Sequence, residues 1–137
     1  MATVDVLVAT AEREVYRGAA DFLVAPGAAG ELGIMPKHSP LLSALTVGEL
    51  RIHRGEEVDD VFISGGFIEV QPDMITILAD TAERAPDVDE AAAIEAERKA
   101  QEEVDTHQGD VDYARAASEL SVATARLAFM RKRKKQR

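Results

Sequence analysis

All five prolines and eight of the nine glycines of this chain lie before residue 87; beyond it there is one glycine and no proline. Proline and glycine break helices and make turns, so the first part must turn often while the second can run as nearly uninterrupted helix. Strands are predicted at Val4-Asp5-Val6-Leu7-Val8 and at Asp21-Phe22-Leu23-Val24-Ala25, the latter stopped by Pro26-Gly27. Leu50-Arg51-Ile52-His53 alternates apolar and polar, as a half-buried strand does. Val61-Phe62-Ile63 and Phe67-Ile68-Glu69-Val70 flank Ser64-Gly65-Gly66, a bulge or hairpin signal, and Met74-Ile75-Thr76-Ile77-Leu78 follows the Pro72-Asp73 turn. Short strands at this spacing point to a sandwich or a flattened barrel. With aromatic residues at 4% and no tryptophan, the core has to be aliphatic.

The period changes at Pro86-Asp87-Val88-Asp89. Asp89 is placed to cap a helix, with Glu90 adding negative charge to its first turn. Ala93, Ala96, Ala100 and Val104 recur at helical spacing, and Glu95 and Lys99 stand as an i,i+4 pair on another face. Thr106-His107-Gln108-Gly109-Asp110 interrupts the pattern, after which Ala116, Leu120, Ala123, Leu127 and Met130 mark one face of a second helix. The chain is thus predicted as a β domain over residues 1–86 and an αα-hairpin with a basic C-terminal tail over residues 87–137. Alanine seams bury little apolar area, so the hairpin is expected to be marginally stable alone and able to adopt more than one arrangement.

The formal charge of −9 is unevenly spread. Residues 1–86 hold fourteen acids and six bases, residues 87–130 eleven acids and four bases, and residues 131–137 six bases and no acid. The acidic body would repel phosphates, which disfavours a nucleic-acid binder. No apolar run approaches the ~20 residues that cross a bilayer. The first ten residues have no signal-peptide pattern, so a soluble, intracellular protein is expected. With no cysteine, disulfides, thiolate metal sites and cysteine nucleophiles are excluded.

Catalytic patterns are absent from the sequence. His38, His53 and His107 lack zinc-ligand spacing, and Phe62 stands where a Gly-x-Ser-x-Gly elbow needs glycine. No phosphate-binding glycine loop opens a helix. Glu56-Glu57 and Asp59-Asp60 are read as solvated acids in a hairpin loop after Arg54-Gly55. Neither a catalytic residue nor a metal site is expected. The segment Gly30-Glu31-Leu32-Gly33-Ile34-Met35-Pro36-Lys37-His38-Ser39-Pro40-Leu41-Leu42 differs: it sets glycines, prolines and a histidine around an apolar centre, as an ordered loop that presents side chains to a partner does.

That segment, Ser64-Gly65-Gly66-Phe67-Ile68-Glu69-Val70, and Thr76-Ile77-Leu78-Ala79-Asp80-Thr81-Ala82-Glu83-Arg84-Ala85 together resemble the bacterial epsilon subunit of the F-type rotary ATP synthase (delta in mitochondrial naming). The resemblance spans nearly the whole chain. It implies a mixed fold, a ten-stranded β-sandwich followed by an antiparallel two-helix hairpin. It further implies a non-catalytic central-stalk subunit, in contact with the gamma subunit, the c-ring and the alpha/beta catalytic hexamer. Such a subunit is held peripherally, through the complex, at the cytoplasmic face of the plasma membrane. It couples proton-driven rotation of the c-ring to ATP synthesis and restrains ATP hydrolysis through its helices, which in relatives lie folded on the sandwich or extend along gamma.

On this resemblance Glu31, Gly33, Pro36, His38 and Pro40 are expected to face the c-ring and gamma. Arg126, Arg131, Lys132, Arg133, Lys134 and Lys135 are expected to meet acidic surface on the hexamer, where partial desolvation strengthens each contact. Some bacterial members bind ATP through Ile/Leu-Asp-x-x-Arg-Ala at the start of the first helix. Here the positions read Val88-Asp89-Glu90-Ala91-Ala92-Ala93, with Ala92 in place of the arginine. Asp89 and Arg126 remain as weak nucleotide contacts, so ATP binding is expected to be weak or absent and no cofactor is expected. An ATP-sensing subunit whose hairpin binds nucleotide is the alternative reading.

Overall fold

In a computed structural model the protein is described over residues 2–106 and 109–135, the side chains of Asp110 and of residues 133–135 excepted. The chain forms two compact units, residues 1–85 and 86–137. The first contains eight strands: β1 (Val4–Ala9), β2 (Glu14–Ala20), β3 (Phe22–Gly27), β4 (Gly30–Ile34), β5 (Leu41–Arg54), β6 (Glu57–Val70), β7 (Met74–Ala79) and β8 (Ala82–Arg84). They make one open sheet in the order β2-β1-β7-β6-β5-β3-β4, with β8 pairing β6. All pairs are antiparallel except β1 with β7.

The sheet becomes a sandwich because β5 and β6, 14 residues each, run through both layers. Residues 66–70 of β6 pair with β7, whereas residues 61–63 pair with β8. The crease between them is Ser64-Gly65-Gly66, a fold within one continuous strand and not the turn between two. Gly65 (φ 119°) and Gly66 (φ 142°) supply the backbone conformation that L side chains avoid. A Cβ on Gly66 would also fall on the Leu78 carbonyl oxygen. The Thr81 hydroxyl and backbone N–H both donate to Ser64 Oγ, at 2.7 and 3.1 Å, and tie the crease shut. Unbroken pairing through the crease is why the count is eight strands and not ten.

Three further expectations are corrected. β3 continues through Pro26-Gly27, since Gly27 and Gly30 close a tight hairpin into β4. The stretch at Gly30-Glu31-Leu32-Gly33-Ile34 is therefore a strand, not loop. The turn between β5 and β6 contains only Gly55 and Glu56, so Glu57, Asp59 and Asp60 belong to β6, where Asp59 accepts from Arg54 at 2.6 Å. β2 and β8 carry too little β-branched character to be visible in the sequence.

Alternation buries one face along most of the sheet, with Val61-Phe62-Ile63 of β6 buried on both. Val4, Val6 and Val8, Leu23, Leu50 and Ile52, Val61 and Ile63, Ile68 and Val70, and Ile75 and Ile77 are all fully buried. The core is aliphatic, and each such side chain contributes roughly 1.5–3 kcal/mol.

A 3-10 turn (Ala85–Asp87) straddles the boundary, and the second unit is the helical hairpin of α1 (Glu90–Thr106) and α2 (Asp110–Lys135). Asp89 caps α1, its Oδ1 accepting from the Ala91 and Ala92 amides at 3.0 and 3.3 Å. The close partner of Glu95 is Arg98, at 2.7 Å, whose guanidinium fork spans Glu95 and Glu102 together, while Lys99 adds a weaker attraction. The Arg98 contact holds the Glu95 carboxyl below the ordinary carboxylate range. Ala93, Ala100, Ala116, Leu127 and Met130 are buried, and the apolar cluster joining the helices is small: Ala93, Leu127 and Met130 with Val88 beside them.

Candidate functional site

The segment after β3 presents its residues from two places. Glu31 and Gly33 are exposed on the edge strand β4, where Arg51 of β5 donates to both Glu31 carboxylate oxygens at 3.1 and 3.4 Å. Pro36, His38 and Pro40 lie in the crossing from β4 to β5. Lys37 pins that crossing. It sits in the left-handed region (φ 66°), its N–H donates to the Pro72 carbonyl at 2.9 Å, and its ammonium meets Asp73 at 3.0 Å. His38 Nδ1 lies 2.6 Å from the Ser39 carbonyl. Two long-range contacts to the β6–β7 turn thus make a proline-rich connection into an ordered rim.

Sequence reasoning missed a second surface. In the register Ala44↔Phe67↔Leu78↔Ala9, four apolar residues from β5, β6, β7 and β1 stand abreast. Phe67 and Leu78 are each 59% exposed, and Leu42, two residues from Ala44 on the same face of β5, is 72% exposed. Met35 in the crossing is exposed as well. Contiguous exposed apolar surface of this kind is a candidate docking face. The signal lay in the alternation: with Ile68, Val70, Ile77 and Ala79 inside, Phe67 and Leu78 have to point outward.

On the hairpin, α2 continues through Lys135, so the basic cluster extends a helix instead of hanging as a tail. Cations at a helix C-terminus complement its dipole. Arg131 and Lys132 are exposed and line a groove of about 430 Å³ with Glu97, Thr124, Leu127 and Ala128. The side chains of Arg133, Lys134 and Lys135 lie outside the described residues, as does His107. Arg126 is half-buried on α2, and Asp89 spends its carboxylate on the helix cap. His53 stacks on Phe22 with ring centroids 4.1 Å apart, a cross-strand pair of β5 and β3. Among the described residues no three His, Asp or Glu side chains gather as a metal site would require, and no helix is long and apolar enough to cross a membrane.

Comparison with known proteins matches these two units in turn. The family model for the ATP synthase delta/epsilon chain β-sandwich domain matches residues 3–85, and that for the long α-helix domain of the same chain matches residues 87–130. The ATP synthase epsilon chain of Acidithiobacillus ferridurans is 48% identical over 134 residues, 98% of this chain and 95% of that one. That of Nitrosococcus oceani is 50% identical over 135 residues, 97% and 96% of the two chains. In fold, the chain is similar to one in the Euglena gracilis mitochondrial ATP synthase (OSCP/F1/c-ring, rotational state 1), with TM-score 0.78 and 18% identity over 93% of this chain and 81% of that one. A chain of the Tetrahymena thermophila mitochondrial ATP synthase central stalk and c-ring gives TM-score 0.60 and 22% identity over 93% and 96%.

Proposed function

This chain belongs to the ATP synthase delta/epsilon-chain family, and we propose that it works as the epsilon subunit of a bacterial enzyme, a non-catalytic element of the central stalk. The observation that carries this reading is the pair of family matches, one on each unit, together with relatives 48–50% identical over nearly the full length. The sandwich supplies rigidity and docking surface. Its apolar row at Ala44, Phe67, Leu78 and Ala9 fits the gamma subunit, and the rim carrying Glu31, Gly33, Pro36, His38 and Pro40 fits the polar loops of the c-ring. The subunit joins the membrane peripherally, through the complex, at the cytoplasmic face. Pulling down a tagged chain tests the reading: gamma and the c-ring should come with it, and recovery of the chain without either would overturn it.

The hairpin has the properties of a regulator. A small cluster built on Ala93, Leu127 and Met130 holds its helices together by little, so a partner can tip the balance between arrangements. We assign Arg126 and the bases from Arg131 to Lys135 to contact with acidic surface on the catalytic hexamer, where they restrain ATP hydrolysis. A chain ending at Met130 should restrain hydrolysis in the assembled enzyme several-fold less than the intact chain. The intact chain's restraint should weaken as salt rises, because exposed ion pairs are screened. Equal restraint by the shortened chain would remove the basic residues from the mechanism. Nucleotide sensing is the weaker alternative, since Asp89 is committed to its cap and Ala92 offers no guanidinium.

A further inference from the structure

The sandwich is open along one side, where β2 and β8 are neighbours with no backbone ladder between them. Four side chains from four strands meet there instead. Asp59 of β6 accepts from Arg54 of β5 through Nε at 3.0 Å and Nη2 at 2.6 Å. Its other carboxylate oxygen faces Arg84 of β8 at 3.7 Å. The Arg84 guanidinium in turn lies over the ring of Tyr16 of β2, 5.7 Å from its centroid. Tyr16 is only 7% exposed. Burial, helped by the Asp59 carboxylate, pushes its phenol up from the ordinary value, while Arg54 and Arg84 pull the other way. Asp59 acts on the Tyr16 hydroxyl and the Arg84 guanidinium lies over the ring face, so the tyrosine joins the cluster through both.

The position of this cluster gives it a consequence. β8 is three residues long and, among the described residues, pairs only with residues 61–63 of β6. So short a strand, on an open edge, frays unless side chains hold it. Arg84 is its last residue, and the 3-10 turn that leads out of the sandwich begins at Ala85. We propose that Tyr16, Arg54, Asp59 and Arg84 form a clasp that closes the open side of the sandwich and fixes Ala85 as the point where the chain leaves it. With the clasp closed, rearrangement of the helices turns about residues 85–87 and leaves β8 in place. With it open, the flexible connection lengthens back toward Asp80-Thr81, and the reach of the helices is no longer defined. The importance of that reach rests on the stalk reading, but the clasp itself does not.

Hydrogen exchange on the full chain tests this. In Arg84→Leu the amides of residues 82–85 should exchange at least ten-fold faster, while those of Val6, Ile75 and Ile77 keep their protection. Tyr16→Leu should speed the same amides about three-fold, and Tyr16→Phe by clearly less, because the ring beneath Arg84 remains and only the hydroxyl facing Asp59 is lost. Arg84→Lys should fall between Arg84→Leu and the parent. Wild-type protection of residues 82–85 in Arg84→Leu would overturn the clasp, as would an equal rise at all amides, or a loss in Tyr16→Phe as large as in Tyr16→Leu. All these readouts come from the isolated chain, so failure of the clasp is distinguishable from failure of the stalk assignment.

Discussion

A double substitution, Phe67→Glu with Leu78→Glu, should release this chain from the complex while the sandwich still folds, with only a modest loss of stability. The two side chains stand directly opposite each other on β6 and β7, each 59% exposed, with Ala44 and Ala9 continuing the row on either side. In the free chain charges at these positions stay in water, so the fold should survive at a cost of about 1–2 kcal/mol, part of it repulsion between two carboxylates directly opposite across the ladder. In the bound state two carboxylates would be stripped of water against an apolar partner. Burying an unpaired charge at the centre of an interface costs several kcal/mol, so binding to gamma should weaken by at least about 100-fold, or roughly 2.8 kcal/mol. Thermal melting of the free chain alongside titration onto gamma separates the two effects. Wild-type affinity in the double variant would show that this face is not the docking surface.

The second large effect is expected at the crease. Gly66→Ala should destabilise the sandwich by more than about 3 kcal/mol, with a lower urea midpoint and an unchanged slope. Two independent reasons combine. The backbone at Gly66 has φ 142°, where a Cβ is strained, and that Cβ would collide with the Leu78 carbonyl oxygen and lie 2.8 Å from the Ala79 Cα. Both obstacles are backbone, and moving them breaks the β6–β7 ladder at Gly66↔Ala79. For a domain of this size, 3 kcal/mol corresponds to a fall in Tm of roughly 12–24 °C. Gly33→Ala is the matched control: its Cβ would meet nothing within 4 Å and φ is unstrained, so its midpoint should barely move. A Gly66→Ala chain as stable as the control would remove the crease from the account of how one sheet makes two layers.

Much of this architecture was legible before the structure. The strands carrying Val4, Leu23, Ile52, Ile63, Ile68 and Ile77 announce themselves through β-branched alternation, and the Asp89 cap through its place before an alanine-rich run. Other elements carry no local signal. The residues of β2, Glu14-Val15-Tyr16-Arg17-Gly18-Ala19-Ala20, become a strand because β1 pairs with them, and Gly30-Glu31-Leu32-Gly33-Ile34 becomes β4 because a tight turn returns it to β3. Asp59 looked like one of several solvated acids until pairing placed it between two arginines.

Composition and local pattern alone establish that a turn-rich half built from strands precedes a half built from helices, that the core is aliphatic, and that the bases gather at one end. These properties follow from backbone freedom and side-chain chemistry, which act within a few residues. The tertiary structure alone decided that β5 and β6 each run unbroken through both layers, that Phe67 and Leu78 face outward side by side, and that Tyr16, Arg54, Asp59 and Arg84 converge. Each of these depends on which distant strand lies alongside. An apolar run such as Ile75-Thr76-Ile77-Leu78 reads the same whether one face is covered or both, and only the opposing layer settles which.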